Sequence, residues 1–161
     1  TTLFRSSPIV YCEEPGFLER MKPVAEACFS PIATIYHYLH LGKNSFHDVK
    51  DEEEVKLKKL FYALRSAFAC KWILDRGTVP PIVFQTMLHG LDVDPVLRKR
   101  IEDLIELKSG KNESYIHPKE PLLNDFIAEQ FLRAENESNS LKSRADKRVD
   151  LDEVFLEILE A

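Results

Sequence analysis

One stretch constrains the fold more than any other: residues 55–77, VKLKKLFYALRSAFACKWILDRG. Leu57, Leu60, Phe61, Leu64, Phe68 and Trp72 recur at three- and four-residue steps, which at about 100° per residue sets them on one stripe of an α-helix. Ala63, Ala67, Cys70 and Leu74 widen the stripe, so that more than half of the circumference can be covered. A helix covered so widely belongs at the centre of a bundle, with Trp72 buried on its apolar side. Its remaining side is not a random solvated face. Lys58, Tyr62, Arg65 and Arg76 fall close together beside the Trp72 edge, and a basic strip bordering a core is the first candidate site.

A chain of 161 residues with 44% hydrophobic content can build one well-cored domain and is short for two. Its formal charge of -5 argues against sequence-independent attraction to a nucleic-acid backbone, so an anionic partner has to be met by a local basic patch. Cys12, Cys28 and Cys70 are odd in number and lack a CxxC pairing, the usage expected of reduced thiols in a cytoplasmic protein. No apolar run approaches the roughly 20 residues of a membrane span, and no secretory leader pattern opens the chain. Thr1 stands where an initiator Met would be, as expected of a piece of a longer chain.

Along the chain, Ile9 to Cys12 form a β-prone run that cannot stand alone as a strand. Residues 1–16 are therefore expected to be an extended arm or the remnant of a missing catalytic domain, and residues 17–161 the helical domain. A first helix is expected from Phe17 to Phe29, with Pro23 as a kink or break. Ser30 and Pro31 form a start signal for a second, because Ser caps free amides and Pro suits the first helical position. Gly42 in the middle of that helix either weakens it or permits a close helix crossing. The acidic run Asp51 to Glu54 is expected to be the charged first turn of the central helix. A short helix over Ile82 to Leu91 follows Pro80-Pro81. Asp94-Pro95 starts another, with Leu97, Ile101, Leu104, Ile105 and Leu107 on its buried side. Ser109 to Pro121 reads as a mobile surface loop, Leu122 to about Leu141 as a further helix, and Leu151 to Leu159 as a short amphipathic helix that needs a groove. The expected fold is an all-α helical bundle with a short extended N-terminal arm.

His37, His40 and His47 with Asp48 are a metal temptation of imperfect spacing, since His37 lies on a different face from the others; they are expected to bind none. Asp92 and Asp94 precede Pro95 and read as a turn and helix cap. No complete catalytic centre is visible. What remains is a possible convergence of two stripes, Tyr36, His40 and Lys43 on the second helix and Lys58, Tyr62 and Arg65 on the central one. Packed antiparallel, they can face a common groove in which cations hold phosphate oxygens and a tyrosine ring stacks on a base. The plainer alternative is that these long side chains snorkel past the core and pair with acids.

Three segments, SSPIVYCEE, FSPIATIYHYLHLGKNSF and KKLFYALRSAFACKWILDRGTVPP, resemble in order and spacing the C-terminal helical half of bacterial nucleotidyltransferases of the DNA polymerase β-like superfamily. The similarity is to the YcgL-like type related to RNA-repair polymerase-β proteins, and it covers about Thr1 to Phe131. The resemblance implies a Mg²⁺-dependent transfer of a nucleoside monophosphate from a nucleoside triphosphate to an acceptor, RNA being one candidate. It also implies an upstream catalytic domain with a Gly-Ser turn and paired metal-binding carboxylates. Here no Gly is followed by Ser and no carboxylate pair falls on an expected strand, so the chain is expected to contribute no catalytic residue and to bind no Mg²⁺ alone. Lys43, Lys58, Tyr62 and Arg65, with His37 and His40, are the expected substrate-binding residues. The alternative is a stand-alone helical module that binds a partner protein.

Overall fold

The computed structural model describes residues 16–141 together with Leu156. The expected arm at Ile9 to Cys12 and most of the expected C-terminal amphipathic helix lie outside the described residues. Within them are six α-helices: α1 (Phe17–Ala27), α2 (Pro31–His47), α3 (Leu57–Arg76), α4 (Phe84–Gly90), α5 (Pro95–Ser109) and α6 (Pro121–Glu137). Two three-residue strands, β1 (Glu54–Lys56) and β2 (Ile116–Pro118), and a 3₁₀ turn at Ser138–Ser140 complete them. The fold is the all-α bundle that the sequence implies. None of these helices is long and apolar enough to cross a membrane.

Local chemistry accounts for most boundaries. Ser30 Oγ accepts from the Ala33 amide at 3.3 Å, and Asp94 Oδ1 accepts from Val96 and Leu97 at 2.9 and 3.1 Å. Each is followed by a proline in the first helical turn. At the end of α3 the chain turns with Gly77 at φ 64°, a left-handed conformation in which a Cβ is penalised, and the Gly77 amide returns to the Ile73 carbonyl at 2.9 Å. Pro23 is accommodated inside α1.

Helix α3 is the centre of the bundle: Leu57, Leu60, Ala63, Leu64, Ala67, Phe68, Cys70 and Ile73 are buried. Phe68 touches rings from two neighbours, Phe84 with centroids 5.2 Å apart and Phe126 at 5.0 Å. Helices α2 and α3 pack antiparallel. Lys59 reaches Asp48 at 2.6 Å near one end, while farther along Gly42 lies against Ser66. Gly42 is there because α2, α3 and α6 cross closely. A Cβ on it would stand 2.6 Å from Ser66 Cβ and collide with the Phe131 ring.

Three expectations need correction. The acidic run does not begin α3, which has no acidic residue in its first turn. Glu54 instead opens β1, where burying Val55 opposite His117 on β2 and satisfying the backbone with a cross-strand ladder outweigh the local preference for a helical start. The segment between α5 and α6 is correspondingly not a plain loop, because β1 and β2 pair antiparallel with Glu54 facing Pro118 and Lys56 facing Ile116. Trp72 is only partly buried: its ring packs over Gly90, and its Nε1 donates to Thr78 Oγ1 at 3.0 Å.

Candidate functional site

The β1–β2 ribbon draws the chain after α5 back across the first two turns of α3. The Leu57 amide donates to the Tyr115 carbonyl at 3.1 Å, and on the far side the Lys119 amide donates to the Glu53 carbonyl at 2.9 Å. Between α5 and β2 the backbone is folded on itself. The Lys111 amide donates to the Lys108 carbonyl at 3.2 Å, and Asn112 Oδ1 accepts from the Ser114 amide at 3.1 Å in an Asx turn. The result is an open pocket of about 200 Å³, lined from α3 by Leu57, Lys58, Phe61 and Tyr62 and from the facing segment by Lys108, Lys111, Asn112, Glu113 and Tyr115.

Each lysine of the pocket lies over an aromatic ring. Lys58 Nζ is 5.9 Å from the Tyr62 centroid, Lys108 Nζ is 5.5 Å from Phe61, and Lys111 Nζ is 5.1 Å from Tyr115. The negative faces of the rings offset part of the repulsion among three ammonium groups held in one small space. The last turn of α5, with its outward carbonyls, is also a favourable place for Lys108. One carboxylate stands against the three cations. Glu113 Oε2 accepts from Lys58 Nζ at 2.7 Å, and this hydrogen bond raises the Lys58 pKa and lowers that of Glu113. Two positive charges are left over, in a chain whose overall charge is negative.

Beneath the Tyr115 end lies a clamp of charged groups. Arg100 forks onto Glu120, with Nε to Oε2 at 3.1 Å and Nη2 to Oε1, and His117 Nε2 meets Glu120 Oε1 at 2.7 Å. Burial alone would raise the Glu120 carboxyl, but the hydrogen bonds from Arg100 and His117 outweigh it and hold its pKa below the ordinary range. Glu120 directly precedes α6 and His117 sits on β2, so the clamp fixes the ribbon to α5.

The two stripes do not meet in a common groove. Lys58 and Tyr62 enter the pocket, whereas Lys43 pairs with Glu135 on α6. The Tyr36 hydroxyl lies 3.3 Å from Asn139 Oδ1 and accepts from Ser138 Oγ at 3.4 Å. His37 and His40 are exposed on α2, His40 within 3.4 Å of Asn44 Nδ2. Arg65 is half-buried, and none of the described residues forms a salt bridge with it. Arg76 is a staple, donating to the Gly90 carbonyl at 2.6 Å beside Trp72. Lys108, Lys111, Asn112, Glu113 and Tyr115 line the pocket without belonging to either basic stripe. The available signal was two lysines flanking Gly110, with a tyrosine four residues after the second.

The fold and this lysine-rich, ring-lined pocket are those of a chain matched over residues 2–157 by the model of the RNA repair pathway DNA polymerase beta family, and the chain belongs to that family. It is also 31% identical over 156 residues to the uncharacterized protein YcgL of Bacillus subtilis strain 168, covering 96% of this chain and 60% of that relative. The chain thus spans less than two thirds of the relative's length. The family likeness runs along nearly the whole chain and rests on this helical region itself, so it does not assign the chain to a C-terminal half. No solved structure matches.

Proposed function

We propose that this chain is the substrate-holding helical region of a polymerase β-like nucleotidyltransferase, and that its pocket grips a nucleotide unit, free or at the end of an RNA strand. The observation that carries the reading is the surplus of lysines over acids in a pocket walled by Phe61, Tyr62 and Tyr115. Ammonium groups meet phosphate oxygens, and an exposed ring such as Tyr62 offers a face on which a base stacks whatever its identity. Lys58 and Tyr62 carry over from the sequence reading as binding residues, and Lys108, Lys111 and Tyr115 join them. An open pocket with flat walls accepts a single strand more readily than a duplex, whose bases are already stacked. The free thiols of Cys28 and Cys70 agree with a reducing, cytoplasmic setting, the buried Cys70 being pushed up to about 12 by desolvation and so inert.

The resemblance implies Mg²⁺ held by paired carboxylates. Among the described residues no group of three or more His, Cys, Asp or Glu is placed to hold a metal ion, and the one acid of the pocket, Glu113, is engaged by Lys58. The described residues do not fit that metal site. The role proposed for this region is to hold and orient.

The test is fluorescence anisotropy of a labelled single-stranded RNA titrated with the full chain at several salt concentrations. Saturable binding that weakens with salt is expected, with a Lys108→Ala/Lys111→Ala double variant weaker by about tenfold or more. A protein-interaction module predicts no saturable RNA binding. That result, or a double variant that binds as the parent does, overturns the reading.

A further inference from the structure

Resting on that reading of the pocket, we infer that Glu113 is an internal stand-in for the ligand's phosphate: it occupies Lys58 in the free protein and is exchanged for the incoming anion. Three observations support this. Glu113 is the one acid among the pocket-lining residues, and its carboxylate sits on Lys58 at 2.7 Å, the place where a phosphate oxygen would lie. Its side chain is 81% exposed while that of Lys58 is 35% exposed, so the acid approaches the lysine from the solvent side, the side from which a ligand must arrive. Finally, Glu113 is carried on a short turn whose hydrogen bonds run through Asn112 and its neighbours, and the pairing to Lys58 is its side-chain tie to α3. The acid can therefore swing out without opening the β1–β2 ribbon or disturbing the core.

Exchange has consequences that simple repulsion lacks. In the free protein Lys58 is already neutralised, so a phosphate that takes its place gains only the difference between two ion pairs, and the released carboxylate recruits a cation from solution. Lys108 and Lys111 form no salt bridge among the described residues and remain to meet the ligand. The internal acid thereby weakens binding of any weakly charged ligand and leaves the pocket selective for one that also satisfies the two other lysines. An anion with several phosphate oxygens beside a flat ring meets that condition, and a lone carboxylate does not.

The experiment is the same anisotropy titration with labelled single-stranded RNA, run on the full chain as parent, Glu113→Gln, Lys58→Met and the double variant, each checked for an unchanged denaturation midpoint. Exchange predicts that Glu113→Gln tightens binding by about two- to fivefold, the scale of an exposed ion pair. It also predicts a steeper dependence of log K on log salt by about 0.7, one additional single-strand phosphate contact. In the Lys58→Met background Glu113→Gln should change affinity little, because the acid then has no lysine to occupy. A Glu113→Gln effect of equal size in both backgrounds identifies a fixed repelling charge and overturns the exchange while leaving the pocket reading standing. Unchanged affinity and slope in Glu113→Gln does the same. If no variant, Glu113→Gln included, binds RNA, the pocket reading itself fails and the exchange fails with it.

Discussion

The basic stripes on α2 and α3 each carry a tyrosine and a lysine at helical spacing and expose them to a similar degree, yet the two lysines meet different surroundings. On α2, Lys43 is matched one to one by Glu135 and Tyr36 is held at the 3₁₀ turn that follows α6. On α3, Lys58 and Tyr62 share a pocket with Lys108 and Lys111 against the single acid Glu113. What separates the two surroundings is thus the balance of charge left after internal pairing. Counting lysines along a helix does not give that balance, because the partners come from segments 55 to 92 residues away.

The largest effect should follow from breaking the crossing that keeps the stripes apart. Gly42→Val places atoms where Ser66 and Phe131 already are, and should cost about 3 kcal/mol, read as a fall in the urea midpoint. An unchanged midpoint would mean that α2, α3 and α6 do not meet there.

A smaller loss is expected at the clamp that seats the pocket's far wall. Arg100→Met leaves Glu120, 8% exposed, with only His117 and should cost about 1–3 kcal/mol at neutral pH, below the full cost of breaking a buried pair because Arg100 is partly exposed. The pH dependence has a definite sign. Glu120 has a folded pKa held below its ordinary value, so its contribution is present above the ordinary carboxylate range and is lost as pH falls through the folded value. The gap in stability between parent and Arg100→Met should therefore be widest near pH 7 and narrow on acidification below about pH 4. A gap that is constant or widens toward acid would contradict the clamp.

Sequence reading recovered what depends on local pattern. The stripe from Leu57 to Phe68 and the caps at Ser30 and Asp94 follow from periodicity and from side chains that reach amides two or three residues away. It went wrong where a distant partner decides the outcome. Nothing local distinguishes Glu54-Val55-Lys56 as a strand from the first turn of a helix; pairing with residues 116–118 does. The site divided in the same way. Lys58 and Tyr62 were legible as a basic and aromatic strip, whereas Lys108, Lys111 and Tyr115 become part of it only through the ribbon that folds the α5–β2 segment over α3. Trp72 is less covered than its place on the stripe implies, because periodicity reports the side of a helix but not how much of that side is covered.

We propose that, of two lysines each paired with one exposed carboxylate, Lys58 meets a ligand and Lys43 does not, because Lys58 shares its pocket with two further lysines. Lys43→Met and Lys58→Met each remove one half of an exposed ion pair, so both should leave the denaturation midpoint within about 1 kcal/mol of the parent. Measuring single-stranded RNA affinity of the two variants side by side separates them. Lys58→Met should bind about fivefold more weakly, having lost a charge-assisted contact, while Lys43→Met should stay within about twofold of the parent. Equal losses in both variants, or a larger loss in Lys43→Met, would contradict it.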